Sequence, residues 1–221
     1  SYGLGCSAEY DVSSPDEQIR QNGLRYMTSL IQAVGRMGGG VIQGSTYCAW
    51  PKKLEVGESK QQYVDQSFKS MKELARVAED SNVIVNMEIL NRFEQFVFNT
   101  VAEALPFVSA IDSPNLGLLL DTFHMNIEEK HLGEAIELIG DDLAHFHACE
   151  NDRGTPGTGH IDWGEVRDAL KKIGYNRCVV IESFTFGVKE IARAASIWRP
   201  LEKDEDTLAR NGLTFLKNLL S

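Results

Sequence analysis

Long apolar runs are missing from this chain of 221 residues: none reaches the roughly 18 residues that a bilayer-spanning helix needs. The opening residues, SYGLGCSAEYD, have neither the basic stretch nor the apolar core of a secretory signal, so the chain is read as cytoplasmic, with no membrane partner. Positive charge is scarce as well. Lys and Arg number 22 against 32 Asp and Glu, and the net charge of −10 repels phosphate backbones, which argues against nucleic acid as a partner. Cysteines are few. Cys6, Cys48, Cys149 and Cys178 lie far apart with no CxxC pair, so neither a disulfide framework nor a structural zinc knot is expected, and all four are read as reduced thiols. There is no GxGxxG or Walker sequence to seat a nicotinamide, flavin or nucleotide. Gly/Ser-rich linkers and low-complexity segments are absent too, and residues 1–221 read as one domain.

What is present is a composition 43% apolar and 24% charged, that of a soluble globular protein with a sizeable core. Short β-rich runs alternate with amphipathic stretches, the pattern of a parallel sheet covered by helices. The strand candidates are 40–45 (GVIQGS), 82–89 (NVIVNMEI), 116–121 (LGLLLD), 143–148 (LAHFHA) and 178–183 (CVVIES), with residues 2–6 as the tail of a sixth. Ser14, Pro15 and Glu17 mark the start of a helix to about Met37, ended by glycines 38–40. A second helix spans roughly 59–80, with Tyr63, Phe68, Met71, Leu74 and Val77 as its core stripe. Asn99 caps a shorter helix to about Ala110, Asp162 caps another over 163–173 that stops at Gly174, and a last one covers 205–220.

An open doubly wound sheet and an eight-stranded barrel both fit such alternation. Chemistry favours the barrel. Glu88, Asp121, His147 and Glu182 end four successive strands, whereas an open sheet concentrates its site at one switch point, often with a glycine-rich phosphate loop. A barrel needs eight strands, and only five complete ones and the end of a sixth are visible, so the first two to three β/α units are expected to precede residue 1. Unpaired strand edges would then make the 221-residue piece aggregation-prone or poorly active by itself.

Two Glu, one Asp and one His at neighbouring strand ends converge on a single point. Carboxylate oxygens with one imidazole and no thiolate suit a divalent ion of the magnesium, manganese or cobalt type. Any one of these acids alone could merely cap the next helix; four in succession, each after a buried apolar run, make that reading much weaker.

The segments MEILNRFEQF (87–96), LDTFHMNIEE (120–129), HFHACENDRGTPGTGHIDW (145–163), VIESF (180–184) and IWRPL (197–201) closely resemble the D-tagatose/D-psicose (allulose) 3-epimerases, within the xylose isomerase-like sugar isomerase/epimerase barrels. The likeness covers essentially the whole chain, from SAEYDVSSPD (7–16) onward. It implies a TIM barrel in which Glu88, Asp121, His147 and Glu182 hold the metal, Mn2+ ahead of Co2+ or Mg2+, and in which Glu88 and Glu182 are the catalytic acid/base pair on opposite faces of a free ketose. Glu94, His124, Arg153 and Trp50 match substrate contacts of the family. A homodimer or homotetramer is implied as well. The loop ENDRGTPGTGHIDW departs from the Gly-Glu-x-Asn-Arg run of the best-known members, and it helps to shape the far end of the sugar, so the physiological ketose is left open.

The chemistry stands without the family. Epimerising beside a carbonyl requires removal of the carbon-3 proton, stabilisation of the developing enediolate, and return of a proton on the other face, which two bases do and one fixed base cannot. Aldose–ketose isomerisation and lyase or hydrolase action on 3-keto glycosides use the same apparatus and remain alternatives. Phosphodiester hydrolysis on this barrel needs three zinc ions and more His than the five present, and a non-catalytic sugar-binding relic is disfavoured because both positions expected of the bases keep a glutamate. His145 is read as a buried hydrogen-bonding residue one layer below His147, Cys149 as a spectator thiol, and His160 as part of a mobile loop over the site. His131 is read as surface, and Glu128–Glu129–Lys130 as a solvated helix start.

Overall fold

Caps, glycines and buried hydroxyls set the ends of the elements. The computed structural model of the chain describes residues 2–184 and 186–221. β1 (Tyr2–Cys6) leads to α1 (Glu17–Arg36). The cap of α1 is Asp16 rather than Ser14: Asp16 Oδ1 accepts from the backbone N–H groups of Gln18 and Ile19 at 2.8 and 3.2 Å, while Ser14 Oγ accepts from Asp16 N and so belongs to the preceding turn. β2 (Gly40–Ala49) runs on past residue 45, because buried polar groups pair its continuation: Ser67 Oγ donates to Tyr47 O at 2.8 Å and Ala49 N donates to Asp11 Oδ1 at 3.1 Å.

α2 (Lys60–Ser81) buries Tyr63, Met71 and Leu74 as its spacing predicts, but Phe68 and Val77 are only half-buried. Ser67 and Ser70 share the inward face because their hydroxyls find carbonyl partners, Ser70 Oγ donating to Val12 O at 2.7 Å. After β3 (Val83–Glu88), α3 (Val101–Ile111) is capped by Thr100, not Asn99. The Asn99 amide instead donates to Leu90 O and Gln95 O at 2.7 and 3.1 Å and ties down the loop before the helix.

β4 (Leu116–Asp121) passes directly into α4 (Thr122–Glu128), which the sequence reading lacks, as it lacks α5 (Leu132–Ile139) and α7 (Lys189–Ala194). Glu128–Glu129 therefore close a helix rather than open one, with Glu129 N donating to Met125 O at 2.8 Å. β5 (Leu143–His147), α6 (Trp163–Lys172), β6 (Val179–Val180) and α8 (Glu205–Leu220) complete the order. Asp162 caps α6 as expected, accepting from Glu165 N at 3.0 Å. β6 is much shorter than 178–183, so Glu182 stands two residues beyond the ladder.

The sheet order is β1-β2-β3-β4-β5-β6. Pairing is parallel between β1 and β2, β2 and β3, β3 and β4, and β5 and β6, with Glu88 opposite Leu119 and His147 opposite Val180. Two compact units are present. One, Ser1–Leu119 with Asp142–His145, has Met27, Ile31, Ile42, Met71 and Leu74 among its fully buried side chains. The other, Leu120–Asp141 with Phe146–Ser221, is centred on Leu120, Ile136, Phe146 and Val166. In the first, Gly117 admits β5 closely: a Cβ there would lie 2.4 Å from that of Ala144. No helix among the described residues is long and apolar enough to cross a membrane. All four cysteines are free, Cys6, Cys48 and Cys149 buried and Cys178 exposed.

Candidate metal centre

Strand ends deliver the second unit's functional side chains. Asp121 finishes β4 and is fully buried; its Oδ1 caps α4 by accepting from Phe123 N at 2.8 Å, which leaves Oδ2 toward His147 Nδ1, 3.8 Å away. Glu182 Oε1 lies 3.5 Å from the same imidazole nitrogen. Asp121, His147 and Glu182 each offer a ligand atom, and these atoms lie within 4.8 Å of one another. Donors bonded to one divalent ion at about 2.0–2.2 Å stand about 3 to 3.5 Å apart, so the spacing suits such an ion after small adjustment.

Charge at the site is consistent with that role. Burial pushes the Asp121 carboxyl upward, but the imidazole of His147 beside it and the nearby side chains of His124 and Arg153 outweigh burial and hold it well below the usual carboxylate range. The thiol beside it behaves in the opposite way. Burial, then the charges of Asp121 and Glu182, push Cys149 well above its ordinary value, so it stays a thiol. Its Sγ lies 3.2 Å from Asp121 Oδ2 and 3.0 Å from Glu182 O, and its single S–H can donate to one of them at a time. The donor set is thus oxygen and imidazole without thiolate, and it fits a hard or borderline divalent cation.

Arg153 and His124 reach the same place. Arg153 Nη1 donates to Glu182 Oε2 at 2.7 Å, and its Nη2 lies 3.3 Å from His124 Nε2. The guanidinium is only 4% exposed and is sandwiched, with its Cζ 4.1 Å from the ring centroid of Phe123 and 4.7 Å from that of Phe184. Neither ring was singled out from the sequence, although each adjoins a motif residue, in DTFH and IESF. His160 is exposed, its backbone N–H donating to Asn151 Oδ1 and its Nε2 lying 3.2 Å from Asn126 Oδ1; His131 is exposed as expected.

In the first unit, Glu88 ends β3 and is 7% exposed, and its carbonyl accepts from the buried Tyr47 hydroxyl at 2.9 Å. Gln95 braces that phenol through its own amide. The structure also joins two of the expected substrate contacts: Trp50 Nε1 donates to Glu94 Oε2 at 2.7 Å, and Asn91 Nδ2 donates to Glu94 Oε1 at 3.0 Å. Gly5 makes room for that indole, since a Cβ there would meet Trp50 Cε3 at 2.9 Å. His145, in the same strand as His147, is buried, as expected of it.

The chain is 38% identical to the D-psicose 3-epimerase of Ruminiclostridium cellulolyticum over 99% of its own length and 76% of that protein's. It is 34% identical to the L-ribulose 3-epimerase of Methylomonas sp., over 97% of this chain and 75% of that one. Its fold superposes on the crystal structure of D-psicose 3-epimerase from Clostridium cellulolyticum H10 with D-tagatose at a TM-score of 0.93 and 38% identity, covering 99% of this chain and 78% of that one. The family model described as xylose isomerase-like TIM barrel matches residues 1–219, and the chain belongs to that family.

Proposed function

We propose that the protein is an isomerase that epimerises a free ketose at carbon 3. The observation that carries this reading is the convergence of Asp121, His147 and Glu182 on one point, with Arg153 clamping Glu182, in a chain 38% identical to a D-psicose 3-epimerase. Glu88 is the proposed fourth ligand, giving the candidate set Glu88, Asp121, His147 and Glu182. It ends β3, opposite Leu119 in the ladder with β4.

In this reading Glu88 and Glu182 are the acid and base, one removing the carbon-3 proton and the other returning a proton to the opposite face. Glu182 is suited to the task because Arg153 holds its Oε2 in place. A bound divalent ion supplies charge stabilisation for the oxygens that become negative in the enediolate. His124 and Arg153 orient the oxygens next to the reacting carbon, and the aromatic faces of Phe123 and Phe184 keep water from the guanidinium. Trp50 and Glu94, held together, are proposed to contact the rest of the sugar. Manganese is the proposed ion, the cytoplasm the proposed location, and a homodimer or homotetramer the proposed assembly, to be read by light scattering of the purified protein.

The test is proton exchange. With manganese or cobalt supplied, D-fructose, D-psicose, D-tagatose and L-ribulose are incubated in deuterium oxide and carbon-3 deuterium is measured by mass spectrometry. Uptake abolished by either Glu88→Gln or Glu182→Gln supports the two-base reading. No uptake from any of the four sugars by metal-loaded protein would overturn it.

A further inference from the structure

The loop from Glu150 to Asp162 has no regular structure, yet Arg153 depends on it. Glu150 stands three residues after His147, is 0% exposed, and has no part in the chemistry proposed above. Its carboxylate is the centre of the loop. Oε1 accepts from the backbone N–H of Asn151 at 3.2 Å and of Ile161 at 3.0 Å; Oε2 accepts from Gly157 N at 2.8 Å and from the Trp163 indole at 2.9 Å. Four N–H groups, none of them charged, converge on one carboxylate, so an amide or a protonated acid in its place must turn a donor toward at least one of them.

The wrapping leaves no space to spare. A Cβ on Gly159 would fall 2.7 Å from Glu150 Oε1, and Gly157, at φ +89, would drive a Cβ to 2.5 Å from the Phe215 ring. The loop thus closes over its own acid. Its first turn is pinned by Arg153 N donating to Glu150 O at 2.9 Å, and Arg153 there adopts φ 63, the left-handed conformation that non-glycine residues seldom take. From the carbonyl side, Ser183 Oγ donates to Arg153 O at 2.7 Å. That turn sends the guanidinium to Glu182 and His124.

We propose that Glu150 is a positioning residue: by gathering the N–H groups of Asn151, Gly157, Ile161 and Trp163 it holds the loop in the shape that sets Arg153 against Glu182. The assignment rests on the epimerase reading for its catalytic consequence, but not for its structural one. Two measurements separate them. In the full chain supplied with manganese, Glu150→Gln is expected to speed hydrogen exchange at the Gly157 and Ile161 amides by about tenfold or more, while the amides within α6 and α8 keep their wild-type rates. With D-psicose as the probe, kcat/KM is expected to fall about tenfold or more.

The fall should act through Arg153: in an Arg153→Ala background, Glu150→Gln is expected to change kcat/KM by no more than about twofold, the sign of a shared path. Unchanged protection at Gly157 and Ile161 overturns the anchor. Loosened amides with unchanged kcat/KM, or full additivity with Arg153→Ala, overturn the positioning role. If the wild type turns over no ketose, the epimerase reading fails by itself and the exchange arm still judges the anchor. Glu150→Asp, which keeps the charge but is too short to reach all four donors, replaces the amide variant if that one does not fold.

Discussion

Arg153 carries a permanent charge into a nearly closed space, and its partners there are one carboxylate, one imidazole and two aromatic faces. A lysine would keep the charge and lose the planar fork and the stacking, so Arg153→Lys is expected to lower kcat/KM for the ketose by about tenfold or more, in steady-state kinetics. Wild-type kinetics would remove Arg153 from the site. Glu150 makes a prediction in pH. Burial pushes its carboxyl up, but the hydrogen bonds from Trp163 and from the Ile161, Asn151 and Gly157 amides outweigh this and hold it below its usual value. A depressed native pKa contributes stability that is complete above the unfolded value of about 4.3 and is lost as pH falls through the lower native one. The destabilisation by Glu150→Gln in urea titrations, about 1–3 kcal/mol at neutral pH, should therefore shrink as the pH drops below about 4. A penalty that does not change with pH would show that the charge is not what holds the loop. Arg153 was legible in the sequence because a glycine-rich loop gave it no structural task. Glu150 was not, because an acid three residues after His147 reads the same whether it folds back on its own loop or faces water.

At the scale of the elements, the long helices and the strands were legible, and the departures follow from side-chain hydrogen bonds that compete with the sequence signals. Ser14 and Asn99 look like caps, but Asp16, two residues on, and Thr100, the next residue, take the free amides, and the first pair is spent on local turns. α4 was hidden because its cap, Asp121, is also the last residue of a strand, and α5 and α7 are too short to establish a period. β2 extended because buried acceptors and donors beyond residue 45 were available, a fact with no local signature. The close approach of β4 and β5 gives a test: Gly117→Ala places a methyl 2.4 Å from Ala144 Cβ and is expected to cost about 1–3 kcal/mol, read as a lowered thermal midpoint. An unchanged midpoint would mean that the strands part there without strain.

For the whole molecule, the alternation of strand and helix identified a parallel sheet covered by helices, because such a sheet needs a crossover after each strand, and the choice of barrel over open sheet came from the polar residues at successive strand ends. The ion's identity and the sugar were not legible, since oxygen and imidazole donors serve several divalent metals and sugar contacts are set by geometry across distant segments. Exhaustive chelation is expected to abolish epimerisation and to lower the thermal midpoint, both restored by manganese or cobalt; an ion at 100 times its Kd contributes about 2.7 kcal/mol. Turnover that survives chelation would remove the metal from the mechanism. Reading residues 1–221 as one domain predicts a single calorimetric transition, and two resolved transitions would contradict it. The cysteines have a practical use. With Cys6, Cys48 and Cys149 buried, a maleimide dye applied to the native protein should attach at Cys178 alone, giving a fluorescent reporter just before β6 with which sugar-induced movement of the nearby chain can be followed without engineering a label.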